Sequence, residues 1–406
     1  MLALTAAFLG WLFDGFEIGL FPVVARPALI SMLGTGGEGK VGEWMGIITA
    51  AFLVGAALGG VVFGWLGDRI GRVRAMSLSI LCYSVFSGVA YFAVEPWHLG
   101  VFRFLAALGM GGEWALGVAL VMEVWPEKHR PWLAGAIGAA ANVGMVLVGV
   151  VAAIWPVTPE SWRWMFLVGA SPALLTFFIR LFVPESERWQ RARAAAVDLG
   201  GRAVSPLAEV WRAPLRGRTV MGIGLTSVAL IGTWGSVQWI PLWTDKMTAG
   251  AIEGAKATAH TLSSLGATFG SLLAPILLGG VRRRIGYSLL CLLSLFVCGM
   301  LFRTQEAYTA TFLVMVCLTG ATTAAFYGWF PLYLPELFPT RVRATGQGLC
   351  FNAGRIVAAV GALTSGQLVK YYGGYAEMGA VITLVYVVGL IIVWLAPETR
   401  GHALPE

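Results

Sequence analysis

The chain has 406 residues, of which 58% are hydrophobic and only 12% charged, about half the charged share of an ordinary soluble domain. Its apolar residues run in blocks of roughly 18 or more, enough to cross a hydrocarbon core of about 30 Å as helix, which excludes a soluble protein. The net charge of +7 sits in basic residues between those blocks, so membrane topology accounts for it and no nucleic-acid partner is expected.

Twelve apolar blocks follow one another, at about 3–30, 44–66, 75–94, 98–122, 132–155, 163–183, 219–243, 257–280, 287–303, 307–334, 345–369 and 376–396. They are long and continuous, where a membrane barrel would show short alternating segments, so helices are predicted throughout. The first block has no basic start or small-residue cleavage site; it reads as a retained helix and leaves room for a short tail ahead of it. Trp44, Trp65, Trp97, Trp125, Trp155 and Trp162 stand near block ends, as interfacial anchors do. With the amino-terminal side counted as inside, 18 of the 28 lysines and arginines fall on inner segments, which predicts cytoplasmic termini.

The segment from Gln190 to Arg218 divides the chain six and six: a bundle over 1–189, a central loop over 190–218 and a bundle over 219–406. Its basic, alanine-rich first part fits either a strap on the lipid headgroups or a solvated linker. The halves repeat: "EVWPEKHR" at 123 and "ELFPTRVR" at 336, like "PES" at 184 and "PET" at 397, are 213 residues apart. "GWLGDRIGR" at 64 has an echo in "GGVRRRIGY" at 279, which would set Arg283 where Asp68 stands in the first half. Parallel six-helix repeats are a transporter architecture with a midplane site. The five cysteines lie in apolar blocks without CxxC spacing, so neither a metal site nor a disulfide framework is expected.

These segments resemble one family. "GWLGDRIGRVR" is similar to the loop motif between the second and third helices of major facilitator superfamily transporters, and "RFLAALGMGGE" to their fourth-helix motif. "PESERW", "YLPELFPTRVRATGQG" and "PETRG" resemble the sugar-porter and metabolite-symporter branches. "DGFE" in the first block and "GMGGEW" in the fourth are similar to the aromatic-acid and sialate proton symporters, with Glu17 in place of a second Asp. "GSVQWIPLW" in the seventh block has a single Gln238, where sugar porters carry a paired Gln motif. The resemblance implies an all-α membrane fold of two pseudo-symmetric six-helix bundles and alternating-access transport.

An uncompensated Asp at a helix centre costs about 2.5–3.5 kcal/mol, so Asp14 and Glu17 are expected to face a cavity or partners. Three residues apart, they share a helix face, and two buried carboxylates that close favour one keeping a proton near neutrality. They are the candidate proton-coupling residues, with Glu113 as relay or as ion-pair partner of Arg103, Arg355 or a fifth-helix donor. Arg103 and Arg355 are candidates for a substrate carboxylate, because a guanidinium donates two parallel hydrogen bonds; a structural ion pair is the alternative for each. Gln238, Trp234, Trp239, Tyr327, Trp329 and Asn352 complete the candidate binding wall. The loop-motif resemblance implies a cytoplasmic gate of Gly64, Asp68, Arg69, Gly71 and Arg72, in which Asp68 meets a helix terminus of the other half. Glu123 with Arg130, and Glu336 with Arg343, are expected to be matching latches. With no nucleophile–base constellation, an enzyme is not expected. The expectation is a plasma-membrane monomer with both termini cytoplasmic and no cofactor beyond a proton gradient. It would carry a small organic anion with protons, a sugar or polyol carrier and proton-driven efflux being the alternatives.

Overall fold

A computed structural model describes residues 2–34, 36–198, 205–248, 251–252 and 254–406. Among these the regular structure is helical. The first half comprises α1 (Leu2–Leu33), α2 (Val41–Ile70), α3 (Arg72–Val89), α4 (Pro96–Val124), α5 (Arg130–Ile154), and α6 (Arg163–Ala170) continued by α7 (Ala173–Phe182). Between the halves lie α8 (Glu187–Asp198) and α9 (Pro206–Val210). The second half comprises α10 (Leu215–Gly235) continued by α11 (Ile240–Thr248), α12 (Ala255–Leu278), α13 (Arg283–Thr304), α14 (Ala310–Leu337), α15 (Arg343–Tyr372), and α16 (Tyr375–Ile382) continued by α17 (Val385–Ile392).

Ten of these helical segments are long and apolar enough to cross a membrane. The shorter apolar stretch Arg163–Leu175 and the 30-residue α15 run alongside them, which gives twelve crossings. Three of the predicted blocks are broken. The sixth turns at Ser171–Pro172 and the twelfth at Thr383–Leu384, and the seventh leaves the α-helix at Ser236 before resuming at Ile240.

Small residues set the packing. A Cβ on Gly55, Gly59 or Gly111 would run into backbone across the α2–α4 seam. The same holds for Gly266, Gly270, Gly320 and Gly328 between α12 and α14. Without a hydrophobic drive between helices inside a bilayer, such close backbone approach is what holds a pair together. The repeat is visible in the pairings: α1 packs on α5 as α10 does on α15, and the halves meet along α2–α15 and α5–α12.

Candidate functional site

α1 runs antiparallel to α4 with its mid-helix acids turned inward, and Asp14, Glu17, Arg103 and Glu113 are all buried. Glu17 has fixed partners. Arg103 Nη1 and the Ser87 hydroxyl both donate to its Oε1, and Arg103 Nη2 reaches its backbone carbonyl at 3.1 Å. The Arg103 guanidinium is sandwiched by Phe52 and Phe21, 4.7 and 5.5 Å from the ring centres. Arg103 therefore belongs to an intramolecular ion pair, away from the cavity where a substrate-binding role would place it.

Asp14 and Glu113 differ. Glu113 lies against Gly10, one turn before Asp14, in space a Cβ there would fill. Neither carboxylate accepts from a donor group among the described residues, and the two lie within hydrogen-bond reach of each other, so a proton on either would bridge them. Charges reaching Asp14 come from Glu113, Arg355 and Glu17. Arg355 is the cation on that side: it is buried, its Nε and Nη1 are unpartnered, and it sits 5.6 Å over the Phe351 ring.

Arg355 opens onto a cavity of ≈ 130 Å³ between the halves, well above the ~10–15 Å³ that one water requires. Trp11 and Ile18 of α1, which flank Asp14 on its own helix face, form one wall. Trp234, Gln238 and Tyr327, all predicted, line the other side together with Arg355. Trp239, Trp329, Asn352 and Arg103, predicted with them, do not line it. Trp329 is spent in an aromatic core with Tyr287 and Tyr333. Asn352 Nδ2 ties α15 to α4 by donating to the Gly111 carbonyl at 3.0 Å. Residues that the sequence alone does not single out join the lining: Trp11, Asn142, Thr233, His260, Thr323 and Phe351. Phe351 is the hub. It stacks on Trp114, the neighbour of Glu113, at 3.9 Å and meets Trp11 and Tyr327 edge-on.

The far ends of the helices carry a second charged cluster. Asp68, at the end of α2, accepts from the Thr345 amide and hydroxyl at 2.7 and 2.6 Å and from the Ala344 amide at 3.2 Å, all at the start of α15. A carboxylate there satisfies amides that have no intrahelical acceptor. Gly64, one turn earlier, lets α2 approach the Ala344 carbonyl, which a Cβ would crowd at 2.7 Å. Gly71 turns the chain at φ 110° over the Glu185 carboxylate, and the Arg69 guanidinium lies out over Trp65.

The expected latches are re-paired. Glu123 accepts from Arg72 at 3.0 Å and from Arg343 at 2.8 Å, whereas Arg130 turns to Glu127 at 2.8 Å. Glu336 binds Arg283 through two bonds of 2.9 and 2.8 Å instead of Arg343. Each acid thus holds the arginine that opens the third helix of its own half. The register of the echo changes accordingly. Glu185 caps the amides of Arg72 and Val73, and Glu398 those of Arg283 and Arg284, so Arg283 is the counterpart of Arg72. The counterpart of Asp68 is Gly279, four residues before Arg283, whose Cβ would come within 2.7 Å of the Pro131 ring. One seam has a carboxylate on free amides. The other has glycine against a proline that lacks an amide hydrogen.

The sequence profile of the Major Facilitator Superfamily matches residues 6–256, and that of "Sugar (and other) transporter" matches 276–406. The chain belongs to the Major Facilitator Superfamily. It is 30% identical to the protein named "Probable 4-methylmuconolactone transporter" of Cupriavidus pinatubonensis, over 98% of this chain and 91% of that one. It is 27% identical to the cis,cis-muconate transport protein of Acinetobacter baylyi, over 94% and 90%. The proton:xylose symporter XylE shares its fold at a TM-score of 0.81 and 19% identity, over 99% of this chain and 97% of that structure. This superfamily member is a multi-pass membrane transporter of a small molecule, not an enzyme.

Proposed function

We propose that the protein is a proton-coupled symporter of a small organic anion, in the inner membrane with both termini cytoplasmic. The observation that carries this reading is Arg355, a buried guanidinium with unpartnered nitrogens on a cavity between the halves. A carboxylate is the complement of that fork. An organic anion is also what the name of the Acinetobacter relative states.

Coupling follows from charge balance. Asp14, Glu17 and Glu113 set three negative charges against Arg103 and Arg355, and Glu17 with Arg103 is self-contained. Asp14 and Glu113 then share one cation, so a single proton neutralises the cluster, at a depth where uncompensated charge is costly. A substrate carboxylate on Arg355 competes with Asp14 for that cation and makes a proton on the acids more favourable still. Substrate and proton therefore promote each other's binding. Asp14 and Glu113 are the proton-coupling residues in this account and Glu17 a fixed counter-ion. The halves, 1–189 and 219–406, rock around the cavity as a monomer, with the Asp68 and Glu123 clusters closing the cytoplasmic end. No cofactor beyond the proton gradient is required.

The hydroxyls and amides of Thr233, Thr323, Asn142 and Gln238 around the cavity would also suit a sugar or polyol, which is the second reading. Proteoliposome uptake of labelled acids and sugars, with and without an inward proton gradient, separates the two. Accumulation of an acid driven by the gradient supports symport of an anion. Equilibration of a sugar indifferent to the gradient overturns it, and gradient-driven export would replace it with efflux.

A further inference from the structure

A second concavity lies outside the transport route, on the outer flank where α10 begins. It is an open cleft of ≈ 610 Å³ between the start of α10 and the chain just past α17, lined by Trp211, Arg216, Arg218, Val220, Met221 and Leu395 among others. Its two ends differ in chemistry. Val220 and Leu395 are 49% and 71% exposed, which on a membrane-spanning flank means contact with acyl chains. Above them stand two arginines beside Trp211, itself 47% exposed, an amphipathic ring of the kind that settles at headgroup level.

The arginines are uncommitted. Arg218 spends one nitrogen on the Leu337 carbonyl at 3.1 Å, and neither it nor Arg216 is in an ion pair among the described residues. Among the described residues no acid lines the cleft. The two nearest in sequence are engaged elsewhere, Glu209 with Arg341 at 2.7 Å and Glu398 with the amides of Arg283 and Arg284. Two guanidiniums over an apolar trough match a phosphodiester carried on acyl chains.

We infer that this cleft is a binding site for one anionic phospholipid, its headgroup phosphate on Arg216 and Arg218 and its chains along Val220 and Leu395. The occupant is a lipid and not a free anion because the apolar trough continues directly below the cationic rim. Since α10 carries Thr233 and Trp234 into the cavity at its other end, the lipid would be bound to a helix that also lines the transport site.

Native mass spectrometry of the detergent-purified protein tests this, titrating phosphatidylglycerol against phosphatidylcholine of the same chains. The wild type should retain one phosphatidylglycerol preferentially. The R216Q/R218Q variant should bind it about thirtyfold more weakly, since each arginine near an anionic headgroup is worth about a factor of five. Phosphatidylcholine binding should be unchanged. R212Q, which removes an exposed arginine outside the cleft, should behave as wild type, and so separates a site from general surface charge. Equal phosphatidylglycerol retention in R216Q/R218Q overturns the proposal, as does equal loss in R212Q. Displacement of the lipid by millimolar inorganic phosphate would make the cleft a free-anion site and overturn its assignment to lipid. If the double variant does not fold, R216Q and R218Q singly should each give about a fivefold loss, and no loss in either would count against the site.

Discussion

Asp14 and Glu17 stand three residues apart on one helix, yet Glu17 has Arg103 and Ser87 while Asp14 faces the Glu113 carboxyl and has no donor among the described residues. Removing one partner of a buried ion pair costs about 3–5 kcal/mol because the other charge is left stranded. Glu17→Gln should therefore lower the thermal midpoint in detergent clearly, and Asp14→Asn should leave it near the wild-type value. Equal midpoints would mean that Glu17 and Arg103 are not a structural pair. Arg355 is tested by affinity. Losing a hydrogen-bonded charge on a carboxylate ligand is worth about 1.5–3 kcal/mol, so Arg355→Gln should raise KM for the acid roughly 10- to 150-fold. Arg355→Lys, which keeps the charge but not the fork, should fall between; an unchanged KM in both would remove Arg355 from the binding site. That Asp14 and Glu17 need partners or a cavity was legible in the sequence, because charge inside an oily block is conspicuous. Their partners were not. Distances along α4 give the separation of Arg103 from Glu113, but only the antiparallel packing of α1 decides which arginine meets which acid.

At the scale of elements, the interface between halves rests on close approach of α2 and α15. A Cβ on Gly348 would strike the Gly60 carbonyl, so Gly348→Leu should hold the Asp68 end of the halves apart. Spin-label distances between the ends of α2 and α15 should lengthen relative to wild type, and an unchanged distribution would show that this seam does not set the closure. Beyond the last crossing, burial pushes the Glu398 carboxyl up. The amides of Arg283, Arg400 and Arg284 and the Arg283 charge outweigh it and hold the group below the usual glutamate range. Its contribution to stability is then present above that range and is lost as pH falls through the lower folded value. Glu398→Gln should lower the midpoint at neutral pH, with the gap to wild type closing on acidification; a gap independent of pH would sink this role. The motifs of this charged cluster were readable as text, but their pairings were not. Matching "GWLGDRIGR" to "GGVRRRIGY" by letters aligns Arg283 with Asp68, whereas the capping by Glu185 and Glu398 shows that it answers to Arg72. A helix N-terminus is a three-dimensional landmark, and letters in a loop of changed composition do not mark it.

For the whole molecule, twelve apolar blocks became twelve crossings because burial of backbone polar groups in lipid leaves helices as the only way across for such segments. Hydropathy carries no signal for the break at Ser236, which turns Gln238 toward the cavity, nor for Phe351 as the ring that joins Trp11, Trp114 and Tyr327. Aromatic residues there look like any other helix-packing group. In the proposed symport, those features bring substrate and proton together at Arg355, Asp14 and Glu113.

The most direct measurement of that coupling is proton uptake on addition of an acid substrate to proteoliposomes without an imposed gradient, comparing wild type with Asp14→Asn. With coupled entry, the medium outside the wild-type vesicles should turn alkaline in step with substrate uptake. Asp14→Asn should exchange substrate without net proton movement. Undiminished proton movement in the variant, or none in an actively transporting wild type, would contradict this coupling.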